Sequence, residues 1–232
     1  MTMAIVILVV SGALVAGAAW GIYGRLGERT EGFLVALAGG ALLLSVVTEL
    51  IEPSVEKSSL AVAAAATALG AIVFACVDYL IDEKWGADKG GGLLAAITLD
   101  GIPENLALGV ALLGAGGLEV AALAGSILLS NLPEAAGGAR QMRDGGISKG
   151  KAMLLWTATA ALLSICAVAG NLLLDGASEH VLAFIRCLAA GAVIASLATE
   201  VFPQAYKEDR HWAGIATALG VLLALFLSQL AD

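Results

Sequence analysis

Two Pro-Glu pairs carry the residues of this 232-residue chain best placed to do chemistry. The first lies in TLDGIPENLALGVALL, with Asp100, Pro103 and Glu104; the second lies in LLSNLPEAAGGAR, with Ser130, Asn131, Pro133 and Glu134. Asp100 and Glu104 are spaced i, i+4, as are Ser130 and Glu134, so on helices each set shares one face. A proline inside a helix removes a backbone hydrogen bond and frees carbonyls in the preceding turn. Freed carbonyls beside carboxylates form an oxygen-rich cage suited to a cation. A carboxylate deep in an apolar helix costs about 2.5–3.5 kcal/mol at a bilayer centre on insertion scales, so it must face a cavity, a partner or an ion. Plain helix-to-helix hydrogen bonding by the acids is the competing explanation. The repetition of polar positions at one spacing weighs against it.

A second constellation lies on either side of this pair. LVALAGGALLLSVVTE (34–49) and IRCLAAGAVIASLATE (185–200) align without gaps and share an SxxTE ending, Ser45-Thr48-Glu49 against Ser196-Thr199-Glu200. Alanine and glycine matches are cheap in such a sequence, but Ser, Thr and Glu on one helical face are not. Two similar alanine-rich helices with independent terminal glutamates would be the alternative. Other familiar chemistries are missing: there is no HExxH, P-loop or GxSxG pattern. His180 and His211 are expected at helix ends as interfacial residues, and Asp78 likewise. Cys76, Cys166 and Cys187 stand alone in apolar runs and are expected to pack. No nucleophile–base pair is visible, so an enzyme is not expected.

The elements that must position these residues are membrane helices. The chain is 59% hydrophobic and only 14% charged, with a mean hydropathy of +0.93. A soluble domain carries about 25% charged residues, so a bilayer is the expected solvent. The formal charge of −8 says little about partners, because several acids sit inside apolar stretches. The opening MTMAIVILVV lacks a basic n-region and reads as a retained first span. Eight segments reach spanning length: about 2–23, 33–52, 60–82, 92–114, 117–139, 151–174, 180–203 and 212–230. The intervening loops are short, so one transmembrane domain covers 1–232.

Loop charge sets an orientation. Arg25, Arg29, Lys84, Lys89, Arg140, Arg143, Lys149, Lys151, Lys207 and Arg210 fall in alternate loops, and only Lys57 falls in the others. Basic loops stay cytoplasmic, which predicts both termini outside. Arg186, inside the seventh span, either pairs with an acid or snorkels outward. The second and seventh spans then run in opposite senses. Spans one to three and six to eight would be inverted-topology copies around a central pair, a recurrent transporter design. The fold class expected is therefore all-α and polytopic, with eight transmembrane helices in a 3+2+3 inverted-repeat arrangement. Gly17 and Gly21, at GxxxG spacing, favour close helix packing, though weakly.

Three stretches resemble the ZIP family of divalent metal transporters: DGIPENLALGVAL, SNLPEAAGGARQMRDGGISKGKA and AAGAVIASLATEVFP. The resemblance covers most of the chain and implies a metal site, often binuclear, between spans four and five, with alternating access. Glu104 and Glu134 match the family's PE glutamates. Asp100 stands where the family usually has histidine, and Gly101 where it often has asparagine. Ser130 and Asn131 replace common His-Glu or Gln-Asn/Asp pairs, and Thr199-Glu200 replaces Glu-Glu. The site keeps carboxylates and loses every histidine, which favours harder ions such as manganese or magnesium over zinc. One ion in place of two is expected, since Gly101 and Ser130 furnish a second position weakly. No histidine-rich loop lies between spans three and four.

These readings converge on a divalent-metal permease of a prokaryotic cytoplasmic membrane. Asp100, Glu104, Ser130, Asn131 and Glu134 would hold the ion, with Glu49 at the entrance and Glu200 at the exit. Expected partners are the metal ion as substrate and membrane lipid, with no nucleic acid, no resident cofactor and a homodimer left open. A proton-linked carrier using the same carboxylates, and a metal-binding membrane protein that does not transport, are the alternatives.

Overall fold

The computed structural model describes residues 2–25, 27–85, 91–113 and 117–231. Every regular element among them is helical. In order these are α1 (Thr2–Tyr23), α2 (Glu28–Ser45), α3 (Glu52–Lys57), α4 (Leu60–Trp85), α5 (Gly91–Ala111), α6 (Gly117–Asp144), α7 (Lys149–Leu173), α8 (Glu179–Ser196), α9 (Phe202–Asp209) and α10 (His211–Ala231). Single π turns, Val46–Ile51 and Leu197–Val201, join α2 to α3 and α8 to α9, so each pair forms one continuous rod. On length and apolar composition, six rods of the described chain can cross a membrane. They are all but α5 and α6, the two that carry the internal prolines Pro103 and Pro133.

Local chemistry sets the breaks. Ser148 and Ser178 are extended residues whose hydroxyls accept the N–H groups of Lys151 and Val181, capping α7 and α8. Gly146 and Gly176 take the left-handed backbone (φ +88° and +78°) that closes the turns after α6 and α7. Arg210 does the same at φ +36° in the turn between α9 and α10, without a glycine's freedom.

Packing divides the helices differently from chain order. α1, α5, α6 and α7 form one group; α2–α3, α4, α8–α9 and α10 form the other. Inside each group, paired helices meet through glycine. A Cβ on Gly17 or Gly21 of α1 would collide with the carbonyls of Leu132 or Ala136 on α6. Gly109 and Gly170 stand in the same relation to Ala167 and Leu106 where α5 meets α7. In the second group, Gly40 and Gly220 abut the carbonyls of Thr217 and Leu37 where α2 meets α10. Gly191 and Gly70 abut those of Thr67 and Leu188 where α8 meets α4. Without a side chain in the way, backbones approach closely and gain dispersion contacts and weak Cα–H···O bonds.

The second group holds a repeat beyond the SxxTE ending. α4 and α10 both contain Ala-Thr-Ala-Leu-Gly, at 66–70 and 216–220. They bury corresponding positions: Ala63, Ala66 and Phe74 on one, Ala213, Ala216 and Ala224 on the other. A single narrow ridge enters the protein on each. Leu69, Ile72 and Val73, like Leu219, Leu222 and Leu223, stay exposed.

Polar bonds reinforce the first group. The Ser11 and Ser164 hydroxyls meet at 2.6 Å between α1 and α7, and Asn171 on α7 donates to the Gly109 carbonyl at 3.1 Å. Arg143 donates to the Gly21 carbonyl at 3.0 Å, and the Lys149 ammonium lies 5.4 Å from the Tyr23 ring centre. Arg186 crosses between groups and donates to the Val110 carbonyl of α5 at 3.2 Å. His180 and His211 are exposed at helix starts, as their positions predict. The expectation of three packing cysteines needs correction. Cys187 is buried, but Cys76 is exposed on the outer face of α4, away from that helix's buried ridge.

Candidate functional site

All four prolines of the chain fall within helical rods; Pro53, Pro103 and Pro133 adjoin an acid, and Pro203 follows Glu200 by three residues. Pro103 and Pro133 lie inside α5 and α6, where they have no N–H to offer the carbonyls of Leu99 and Leu129. Pro53 and Pro203 follow the two π turns by two residues. They likewise cannot bond the carbonyls of Glu49 and Thr199. The wider turn is the backbone's adjustment. Glu52 N–H reaches back to Val47 and Phe202 N–H to Leu197, five residues each instead of four. Glu49 and Glu200 therefore sit in π turns, a local geometry that alpha-helical periodicity does not anticipate.

α5 and α6 pack together, as the convergence of the two Pro-Glu segments requires. α6 also lies against α2, and α5 against α8, so the pair sits along the seam between the two groups. Glu104 is 8% exposed, Ser130 1% and Asn131 3%, while Glu134 is half-buried. The Ser130 hydroxyl donates to the Ile127 carbonyl at 3.1 Å, leaving its lone pairs available. The amide nitrogen of Asn131 has no hydrogen-bond partner among the described residues. The Asp100 backbone belongs to α5, but its side chain lies outside the described residues.

Glu49 and Glu200 are half-buried and belong to the second group, on different rods from the Pro-Glu pair. Thr48 donates to the Leu44 carbonyl at 3.2 Å and Thr199 to the Ala195 carbonyl at 3.1 Å, so the matched threonines brace the matched π turns alike. Among the described residues, no three His, Cys, Asp or Glu side chains gather as a metal-ligating group. The donors in place on α5 and α6 are carboxylate, amide and hydroxyl oxygens, a set that fits a hard divalent ion better than a soft one.

Some polar residues escaped the sequence reading. Asn105, directly after the first Pro-Glu, is 1% exposed and donates to the Gly101 carbonyl at 2.9 Å. Its place in the PEN triplet was the available signal. A second cluster was missed altogether. Glu31 of α2 is fully buried against α6, and its carboxylate lies 2.9 Å from the Arg140 guanidinium. Glu208 of α9 approaches the same nitrogen at 3.6 Å. Gln204 donates to Glu31 at 3.3 Å. Charges bordering expected loops read as solvated, so only the fold reveals this burial.

The chain matches no known protein-family model and no curated protein.

Proposed function

We propose that this protein is a divalent-metal permease whose ion binds between α5 and α6. The observation that carries the reading is the burial of Glu104, Ser130 and Asn131 along the seam between two helix groups. Burying an acid and two polar side chains in an apolar, membrane-sized bundle is costly, and a cation bound among them offsets part of that cost. Glu104, Glu134 and the Asn131 and Ser130 oxygens bind the ion, with Asp100 as the fifth side chain. Carbonyls freed by Pro103 and Pro133 complete an all-oxygen shell. Glu49 and Glu200 take the ion at entrance and exit.

The proposal includes the architecture. α1 to α4 and α7 to α10 are inverted-topology copies around the α5–α6 pair, with both termini outside a prokaryotic cytoplasmic membrane. Three likenesses support the copies: the SxxTE endings, the π turns followed by proline, and the paired glycine contacts of α2 with α10 and α8 with α4. The distribution of basic loop residues supports the orientation. The resemblance of three segments to the ZIP family supports the substrate class.

Reconstitution into liposomes tests it. Uptake of Mn²⁺, Fe²⁺, Zn²⁺, Cd²⁺ and Mg²⁺ is measured with and without a pH gradient, for the parent and for Glu104→Ala and Glu134→Ala. Loss of uptake in both variants is expected. Unchanged uptake in both rejects the site, and proton movement without metal favours the proton-linked carrier.

A further inference from the structure

We propose that Arg140, Glu31 and Glu208 form a latch that closes the seam between the two helix groups at one end of the bundle. On the transport reading, which this inference extends, that end faces the cytoplasm and the latch must open for an ion to pass there. Arg140 projects from α6, in the first group; Glu31 and Glu208 come from α2 and α9, in the second. The guanidinium thus bonds across the seam to two different rods.

The fold makes room for this contact. Gly137, one turn before Arg140, faces Glu31 so closely that a Cβ would occupy the place of the carboxylate oxygen. A Cβ on Gly32 would come within 2.8 Å of the Glu208 Cβ. Two glycines on two helices therefore admit the carboxylates. Gln204 adds a donor to Glu31 on the side away from Arg140's Nη2 contact.

Buried ion pairs are poor glue, because well-packed apolar residues hold as firmly or better. Their advantage is that water can replace them. Glycine–carbonyl seams lose their contacts outright when helices part, whereas an arginine and two glutamates regain hydration as soon as the seam widens. Charges placed at a joint between groups, in a molecule whose other joints are close-packed, suit a contact made and broken repeatedly. Arg140 is the one positive charge facing these two buried acids, so removing it leaves them without a counter-charge and makes hydration of the opened seam more favourable.

Thiol accessibility reads the latch without relying on transport. In a background with Cys76, Cys166 and Cys187 replaced by serine, Gln204→Cys places a reporter beside Glu31. Its reaction with N-ethylmaleimide in proteoliposomes should be slow, and at least tenfold faster when Arg140→Gln or Glu31→Gln is added. Arg140→Lys should stay near the parent rate, and so should Lys207→Gln, an exposed cation outside the triad. Unchanged rates in Arg140→Gln and Glu31→Gln overturn the latch. If those variants are not monodisperse, Glu208→Gln removes only the longer contact; a threefold rise supports the proposal and no rise overturns it. Mn²⁺ uptake is recorded on the same vesicles. Faster labelling with no uptake even in the parent rejects the transport reading and keeps the latch, while uptake with unchanged labelling does the reverse.

Discussion

Where α2 meets α10, Gly40 and Gly220 rest on the carbonyls of Thr217 and Leu37; where α2 meets α6, Glu31 meets Arg140. One helix thus has two neighbours held by opposite chemistry. The first contact is dry, backbone to backbone, with nothing that water could substitute. The second includes charges that water satisfies at once. The same contrast holds across the molecule. α1 with α6, α5 with α7 and α4 with α8 share the glycine design, while α5 and α6, the helices that carry the Pro-Glu motifs, run along the boundary between groups. On the proposed function, the difference separates joints built to persist from a joint able to change, and α6 carries both that joint and half of the candidate ion site.

The sharpest way to break that contrast is to put a side chain into a dry seam. Gly191→Leu and Gly70→Leu should each destabilise by about 3 kcal/mol or more, since over-packing usually costs about 1–3 and here the obstacle is backbone. Thermal unfolding in detergent checks this. Gly214→Leu, with nothing within 4 Å, is the control and should be close to neutral. Equal midpoints for Gly191→Leu and Gly214→Leu would remove the distinction.

Next in size comes the boundary itself. Glu134→Gln should lower metal uptake roughly tenfold, about 1.4 kcal/mol of lost binding, with little change in the unfolding midpoint. A matching loss of stability would make Glu134 a packing residue. Smaller again, Asp100→His should move the preference among ions toward Zn²⁺ by roughly severalfold, because imidazole suits zinc. A competition assay with Mn²⁺ reads the shift, and an unaltered ratio counts against Asp100 as a ligand. The smallest effect is expected from Ser11→Ala, which removes one hydroxyl pair inside a glycine-built group and should cost about 0.6 kcal/mol. A cost several times larger would show that polar bonds, not close backbones, hold that group.

Much of the helical architecture was legible because apolar length and loop punctuation are strong signals. The boundaries of α1 and α4 and the start of α10 fall within a few residues of those expected from hydropathy. The rods through Val46–Ile51 and Leu197–Val201 run about five residues beyond the expected 52 and 203, because a π turn lets the chain carry its proline without stopping. The Pro-Glu motifs were legible as well, since acid and proline are both expensive in such a helix. Glu31 and Arg140 were not, because burial of a charge near a loop depends on a neighbour more than a hundred positions away. The grouping of helices was equally hidden: every helix is apolar enough to pack on any other, and glycine spacing names no partner.

None of the four glycine seams joins helices that follow one another in the chain. During synthesis, then, α2 reaches the bilayer long before α10 exists. The helix emerging straight after it is α4, which carries the same Ala-Thr-Ala-Leu-Gly ridge as the absent partner. On the proposed orientation α4 runs opposite to α2 and α10 runs with it, so the shared ridge does not make α4 a substitute for the later partner. The α2–α10 seam can therefore close only once the last helix has been made, so assembly of this group ends with the end of the chain.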